Sequence, residues 1–335
     1  MKGNNIESPL KTILGWAATG VGLYLVAHAV VKELSKLDLK NKVVLITGGS
    51  RGFGLVLARH LADRGAMLAI AARSADDLEL ARQELDAKGA RVIAMTVDVT
   101  QNEEVKAMVR DVLRHYGRLD VLINNAGIIQ VGPQHVMSIE DYQLAMQTNF
   151  WGQLYAMLAV IPYFIERGQG RIVNITSIGG KIALPHLLPY TASKFAAVGL
   201  SEGMHAELKK YNIYVTTVVP NLMRTGGPVH ADIKGDYEKE YAWFKHADSN
   251  PLLSSDADKT AERIIEAIEY GKSEVTLSLT GKVATLVQGF APRWISLLMN
   301  IANNILPEAA TGNFESKKGW EAESRLSQGP IARLT

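Results

Sequence analysis

The chain has 335 residues, 47% of them hydrophobic and 21% charged, which excludes a disordered, collagenous or low-complexity protein. Its 36 Lys and Arg nearly balance 34 Asp and Glu, for a net charge of +2, so nothing marks it as a nucleic-acid binder, which needs a clustered basic surface. Cysteine is absent, which removes disulfides, thiolate metal sites and a cysteine nucleophile.

The first forty residues form a unit of their own. Ile13–Val31 runs for 19 residues without a charge, between Lys11 and Lys32. A helix of that length spans about 28 Å, close to the hydrocarbon thickness of a bilayer. Trp16 and Tyr24 add amphipathic rings, and Gly15, Gly20 and Gly22 are of a type common in membrane helices. A membrane anchor is the favoured reading. A cleaved signal peptide is the second, because Ala27-His28-Ala29 has the small-x-small form of a cleavage site. A helix docked on the protein or on a partner subunit is the third. Lys32, Lys36, Lys40 and Lys42 follow the run, against Lys2 and Lys11 before it. On the positive-inside rule the protein is membrane-associated with its body in the cytoplasm.

Residues 41–280 read as alternating strands and helices. Lys42–Thr47 is an apolar run expected as a strand, followed by a helix over Arg51–Arg64. Met67–Ala72 is the second strand, with a helix at Asp76–Lys88; Arg91–Val97 is the third, with a helix over about Asn102–His115. Leu119–Ile123 is the fourth, before a long helical stretch at Ile139–Glu166. Arg171–Thr176, then a helix over Tyr190–Lys209, and Ile213–Val219 come next. Asp256–Tyr270 is a helix with Ser254 or Ser255 as its expected N-cap, and Glu274–Leu279 is the seventh strand. Strands apolar on both faces and separated by helices predict a single-domain α/β fold of the Rossmann type. Its doubly wound, parallel, seven-stranded sheet is flanked by helices, and ligands sit at the carboxyl ends of the strands.

The first strand ends in a glycine-rich turn, Thr47-Gly48-Gly49-Ser50-Arg51-Gly52-Phe53-Gly54. Gly48 permits a tight turn, Gly52 lets a pyrophosphate approach the backbone, and Gly54 lets helix and strand pack closely. The helix N-terminus supplies N–H groups and partial positive charge for phosphate. An NAD site places a carboxylate at the end of the second strand, but this strand ends Ala71-Ala72-Arg73-Ser74. Arg73, with Arg51 in the turn, suits a ribose 2′-phosphate, so NADP(H) is the expected cofactor.

Four further segments follow in order: Asp98-Val99, then Asn124-Asn125-Ala126-Gly127, Ser177, and Tyr190-Thr191-Ala192-Ser193-Lys194. With the glycine turn, this pattern over roughly residues 41–280 resembles the main single-domain branch of the short-chain dehydrogenase/reductase superfamily. The resemblance implies that Tyr190 is the acid/base and Ser177 a hydrogen-bond donor to the substrate oxygen. Lys194 would favour the phenolate and bond the nicotinamide ribose, and Asn149 would hold a water linking Lys194 to solvent. Tyr190 and Lys194 are four apart, so a helix puts them on one face. For the cofactor, the resemblance implies Gly48, Ser50, Arg51, Gly52, Phe53 and Gly54 at the turn, and Asp98 and Val99 at the adenine. Asn125, Ala126 and Gly127 would line the ribose, and Thr225 the nicotinamide carboxamide. Pro220-Asn221 departs from the family's Pro-Gly; asparagine tolerates left-handed backbone, so the turn is expected to survive. No metal is implied. Relatives commonly form homodimers or homotetramers through the helices containing Asn149 and Tyr190.

Residues between Thr225 and Ser254 correspond to the family's variable lid, where Tyr237, Tyr241, Trp243 and Phe244 offer an apolar substrate wall or simply packing. His186, between Ser177 and Tyr190, is expected to be exposed, with a polar handle on the substrate as the alternative. In the extension 281–335, Val283–Phe290 and Trp294–Leu306 read as two apolar helices broken near Pro292. They could serve as a second membrane contact, a substrate entrance, a subunit interface or ordinary packing. The polar residues 307–335 are expected to be extended or loose. The leading reading is an NADP(H)-dependent oxidoreductase interconverting a lipophilic carbonyl and an alcohol. A 3-oxoacyl thioester reductase and a non-catalytic NADP-sensing scaffold are the alternatives.

Overall fold

Seven short, mostly apolar runs assemble into one parallel sheet. They are β1 (Val43–Thr47), β2 (Met67–Ala72), β3 (Val92–Thr96), β4 (Val121–Asn124), β5 (Gly170–Ile175), β6 (Ile213–Val219) and β7 (Glu274–Thr276). The sheet order is β7-β6-β5-β4-β1-β2-β3. The winding direction therefore reverses between β1 and β4, whose register pairs Thr47 with Asn124 at their carboxyl ends. That reversal opens the crevice in which such sheets bind ligands.

The computed structural model describes residues 36–250, 253–308 and 314–328. By its internal contacts the chain divides into two compact units, Met1–Asp38 and Leu39–Thr335. The expected apolar helix at 13–31 lies outside the described residues. Among the described residues no helix is long and apolar enough to cross a membrane.

Helices α1 (Gly52–Asp63), α2 (Ala75–Ala87) and α3 (Asn102–Tyr116) follow β1, β2 and β3. After β4 come α4 (Ile139–Met146), a π-helical turn at Gln147–Trp151 and α5 (Gly152–Arg167). The expected long helix is thus continuous but widened in its middle. Then follow α6 (Leu188–Leu208), α7 (Tyr237–Ser249), α8 (Ala257–Tyr270), α9 (Leu279–Phe290) and α10 (Pro292–Asn303). On one face of the sheet, Val105, Met108, Val109 and Val112 of α3 and Met157, Val160 and Phe164 of α5 bury against β1, β4 and β5. The helical spacing of these residues is what the sequence periodicity expressed.

Some boundaries differ from expectation for identifiable reasons. Asp256, not Ser254 or Ser255, caps α8, accepting from Lys259 N at 3.0 Å; the serines instead pair with Leu222–Met223 in a short parallel ladder. β7 stops at Thr276 because Ser278 turns the chain into α9, its hydroxyl accepting from Gly281 N at 2.8 Å. The break before α10 falls at Ala291, as Pro292 requires. Residues 314–328 are not loose. Lys317–Lys318 pair antiparallel with Asp232–Ile233, and Ala322 buries against the lid residues Tyr241 and Phe244. Composition hides this segment because its anchors are specific partners: Lys318 on Asp232 at 2.5 Å, Glu323 on Lys245 at 2.7 Å and Leu326 O on His246 Nε2 at 2.8 Å.

Candidate active site

The glycine turn has the backbone its residues were expected to allow. Gly48 and Gly52 adopt φ of +66° and +52°, conformations that L side chains rarely adopt. A Cβ at Gly54 would lie 2.0 Å from Gly48 O, so only glycine lets α1 pack here. At Gly52 the nearest atom to such a Cβ is Thr225 O at 3.9 Å, so the backbone there is open to approach. Thr47 and Asn125 knit the two sides of the crevice together. Thr47 Oγ1 accepts from Asn125 N and Ala126 N at 3.1 and 3.2 Å, and Asn125 Nδ2 donates to Gly48 O at 2.9 Å.

The start of α1 suits an anion. Its N-cap residue Arg51 makes no side-chain cap bond and its first turn carries no acid, whereas α2 is capped by Ser74 and begins with Asp76 and Asp77. The first N–H groups of α1 and its dipole thus face no protein carboxylate from that turn. Arg73 is exposed at the end of β2. Arg51 differs from a free cation: it pairs with Asp77 at 3.0 Å, half-exposed. Ser50 and Phe53 are buried. Asp98 accepts from Thr100 N and Oγ1 at 2.9 and 2.8 Å, and Val99 packs where a Cβ at Gly152 would touch it. Pro220 O accepts from Ile178 N at 2.8 Å, and Thr225 lies beside the glycine turn, its hydroxyl 3.3 Å from Met223 O. Asn221 is not left-handed; its Nδ2 donates to Thr280 Oγ1 at 3.2 Å, tying the turn to α9, so the Pro-Asn departure needs no backbone strain.

The proposed chemical residues converge at the end of β5. Ser177 Oγ accepts from Gly179 N at 3.0 Å and also meets the Tyr190 hydroxyl. A Cβ at Gly179 would lie 3.2 Å from Tyr190 Cε1 and 3.5 Å from Ser177 Oγ, so the small residue leaves these two side chains room to meet. Lys194 lies on the same face of α6. Its Nζ donates to Ile175 O at 3.0 Å and sits 5.7 Å from the Tyr190 ring centre. Burial pushes the Tyr190 phenol up to about 12 and the Lys194 ammonium down to about 8. The expected preference for phenolate is therefore outweighed by desolvation, which favours the neutral form of each group.

Asn149 occupies the π turn and is fully buried. Its Oδ1 accepts from Ile128 N at 2.9 Å, and its Nδ2 donates to Ile128 O at 3.1 Å and Ser193 Oγ at 2.9 Å. Ser193 Oγ in turn donates to Tyr190 O at 2.7 Å. Gly127 is needed beside it, since a Cβ there would lie 2.9 Å from Asn149 Oδ1 and 3.6 Å from Lys194 Nζ. Sequence alone does not single out Ser193. The signal was its position within Tyr190–Lys194, but only the π turn shows its partner, and π turns often mark functional sites.

His186 is buried rather than exposed. It takes a left-handed φ of +58°, and its Nδ1 lies 2.9 and 3.0 Å from the two carboxylate oxygens of Glu240 on α7. Glu240 is fully buried and also accepts from Trp243 Nε1 at 2.6 Å. Polarity suggested exposure; a carboxylate 54 positions away in the sequence reverses it. The pair joins the Ser177–Tyr190 loop to the lid. Glu240→Ala would strand the buried His186 and the half-buried Trp243 Nε1 and is expected to cost about 3 kcal/mol. Thermal unfolding checks this, and an unchanged Tm would contradict it. Beside His186 lies an open cavity of about 670 Å³, lined by Pro133, His135, Leu184, Leu188, Met299 and Leu306 among others. Among the described residues no cluster of His, Cys, Asp and Glu could hold a metal.

Residues 42–232 match the model of the short chain dehydrogenase family. A fatty acyl-CoA reductase of Acinetobacter baylyi is 29% identical over 91% of this chain and 97% of its own length. An 11-beta-hydroxysteroid dehydrogenase-like protein of Arabidopsis thaliana is 33% identical over 83% of this chain and 81% of its own. The crystal structure of an actinorhodin polyketide ketoreductase with NADPH covers 71% of this chain and 95% of its own, at 28% identity and a TM-score of 0.63. The chain belongs to the short chain dehydrogenase family, as an oxidoreductase acting on CH–OH and carbonyl groups with a nicotinamide cofactor.

Proposed function

We propose that the protein is an NADP(H)-dependent reductase of lipophilic ketones or aldehydes, reversible toward the alcohol. The observation that carries this reading is the cluster of buried Ser177, Lys194 and Asn149 with the half-buried Tyr190 behind one strand end. When bound, the cofactor supplies or accepts the hydride. Ser177 and Tyr190 hydrogen-bond the carbonyl oxygen, and Tyr190 gives it a proton as negative charge develops. Lys194 stabilises the charge left on the tyrosine, and Asn149 with Ser193 fixes the start of α6, where Tyr190 sits. Gly48, Gly52 and Gly54 with the start of α1 receive the pyrophosphate. Asp98 and Val99 border the adenine, Asn125 to Gly127 the ribose, and Pro220 and Thr225 the nicotinamide.

Lipophilicity is supported by relatives named for a fatty acyl-CoA and a hydroxysteroid. An anchor at residues 13–31 would hold the enzyme where such substrates partition. Exposed Trp151, Leu158 and Phe195 on the helices of Asn149 and Tyr190 suit a homodimer or homotetramer. The test follows NADPH oxidation across carbonyls of rising chain length and ring count, with NADH in parallel. Turnover that falls with lipophilicity would reject the substrate class.

Arg73→Asp tests the 2′-phosphate assignment separately. Removing one bidentate cation and adding a charge that repels phosphate is expected to cut the NADPH/NADH preference by about 100-fold or more. An unchanged ratio would place the phosphate elsewhere.

A further inference from the structure

We propose that the α9–α10 hairpin is a bilayer-docking surface, set beside the cavity so that substrate enters from lipid. The helices carry their large apolar residues outward. On α9, Leu279, Val283, Leu286 and Phe290 recur at one-turn spacing and are all exposed, Phe290 at 89%. On α10, Trp294, Leu297, Leu298 and Ile301 do the same, and Ile305 just beyond it continues the stripe, with Trp294 at 64% and Ile305 at 80%. Of the large apolar residues on the hairpin, Ile295 alone is buried. Scattered single exposures are ordinary, but two adjoining stripes that no described residue covers are not.

The charges identify what covers them. From Leu279 to Pro307 the charged side chains are Lys282 and Arg293, both exposed, and no acid occurs. Arg293 stands at the corner between the helices, flanked by Phe290 and Trp294, where aromatic rings and a cation together match the headgroup level of a membrane. An anionic leaflet complements this surface. A second copy does not, because a two-fold contact between the helices would bring Lys282 and Arg293 against their own copies, with no acid on either helix.

The inner side of α10 ties the surface to the cavity. Met299 and Asn303, one turn apart, and Leu306 beyond the helix line it together with Leu184, Pro185 and His186 of the loop that leads into Tyr190. One helix therefore faces lipid on one side and the cavity on the other. Only this delivery step rests on the reductase reading; the docking itself stands apart from it.

The absence of cysteine permits a direct test on the full chain. Phe290→Cys carries an environment-sensitive nitrobenzoxadiazole dye. Leu80→Cys, exposed on α2 at the opposite edge of the sheet, carries the same dye as control. Vesicles of phosphatidylcholine with phosphatidylserine are added, with and without nitroxide-labelled lipid. The expected result is a blue shift and nitroxide quenching at position 290 and neither at position 80. A water-like, unquenched dye at 290 on protein that floats with vesicles would overturn the proposal, since another segment would then be the one bound. A blue shift without vesicles that grows with protein concentration would overturn it in favour of a second copy. For delivery, Phe290→Glu with Trp294→Glu is expected to keep turnover of a water-soluble ketone and lose that of one dissolved in vesicles. Equal loss of both would remove the delivery step. An enzyme inactive on every carbonyl would leave the dye readout standing.

Discussion

Tyr190→Phe is expected to lower carbonyl reduction by about 10³-fold while leaving NADPH affinity within about threefold, because general acid catalysis at one position carries about that much rate. The phenylalanine ring keeps the packing of Tyr190 against the cluster around Leu187, Tyr241 and Phe244, so the change removes a hydroxyl and little else. The phenol, pushed up to about 12, is protonated at neutral pH and therefore poised as a donor, the form reduction needs. Oxidation of the alcohol needs the phenolate, so its kcat/KM should rise about tenfold per pH unit through neutrality, while reduction stays level. Stopped-flow turnover and NADPH fluorescence titration separate the two effects. A variant with a tenth or more of wild-type turnover would show that another group delivers the proton, and the scaffold reading would gain if both proteins bound NADPH and neither turned over.

The inner strands β1, β2, β4, β5 and β6 are legible in the sequence because they are buried on both faces, which writes a near-continuous apolar run, whereas the edge strands β3 and β7 are partly exposed and show mainly through their place between helices. The glycine turn was legible for a different reason: Gly48, Gly52 and Gly54 are required by backbone contacts close in sequence. What stayed hidden depends on pairs far apart. Glu240 draws His186 inward across 54 positions, and Asp232 and Lys245 give order to residues 317–323. Neither side of such a pair has a periodicity to betray it. The π turn at Asn149 was invisible because the residues of a π turn satisfy a helical pattern as well as an α-helix does; the difference lies in which way Asn149 points, and its three bonds to Ile128 and Ser193 reveal that. The burial that pushes the Tyr190 phenol up is hidden for a related reason. Spacing put Lys194 near it, but spacing carries no information on desolvation.

Lys194→Met should separate what helps the reaction from what helps the fold. The ammonium is buried and keeps one bond, to Ile175 O, and burial pushes it down to about 8 from its ordinary 10.5. At about 1.36 kcal/mol per pKa unit, the charged form costs the folded state up to about 3 kcal/mol at pH 7. Between about pH 8 and 10.5 the unfolded lysine holds a proton that the folded one has lost, so this cost fades and stability rises with pH across that window. A methionine of similar length carries no charge to desolvate. The variant is therefore expected to be at least as stable as wild type at pH 7, with the gap closing toward pH 10. Its reductive turnover, in contrast, should fall by about 10²-fold, because no cation remains to stabilise the charge left on Tyr190, and the decline of wild-type activity above about pH 8 should vanish from its profile. Chemical unfolding and kcat/KM, each taken from pH 6 to about 10, check both halves. Loss of activity together with loss of stability at pH 7 would mean that Lys194 is a structural cation, while gain of stability with loss of turnover is the signature of a charge kept buried for the chemistry.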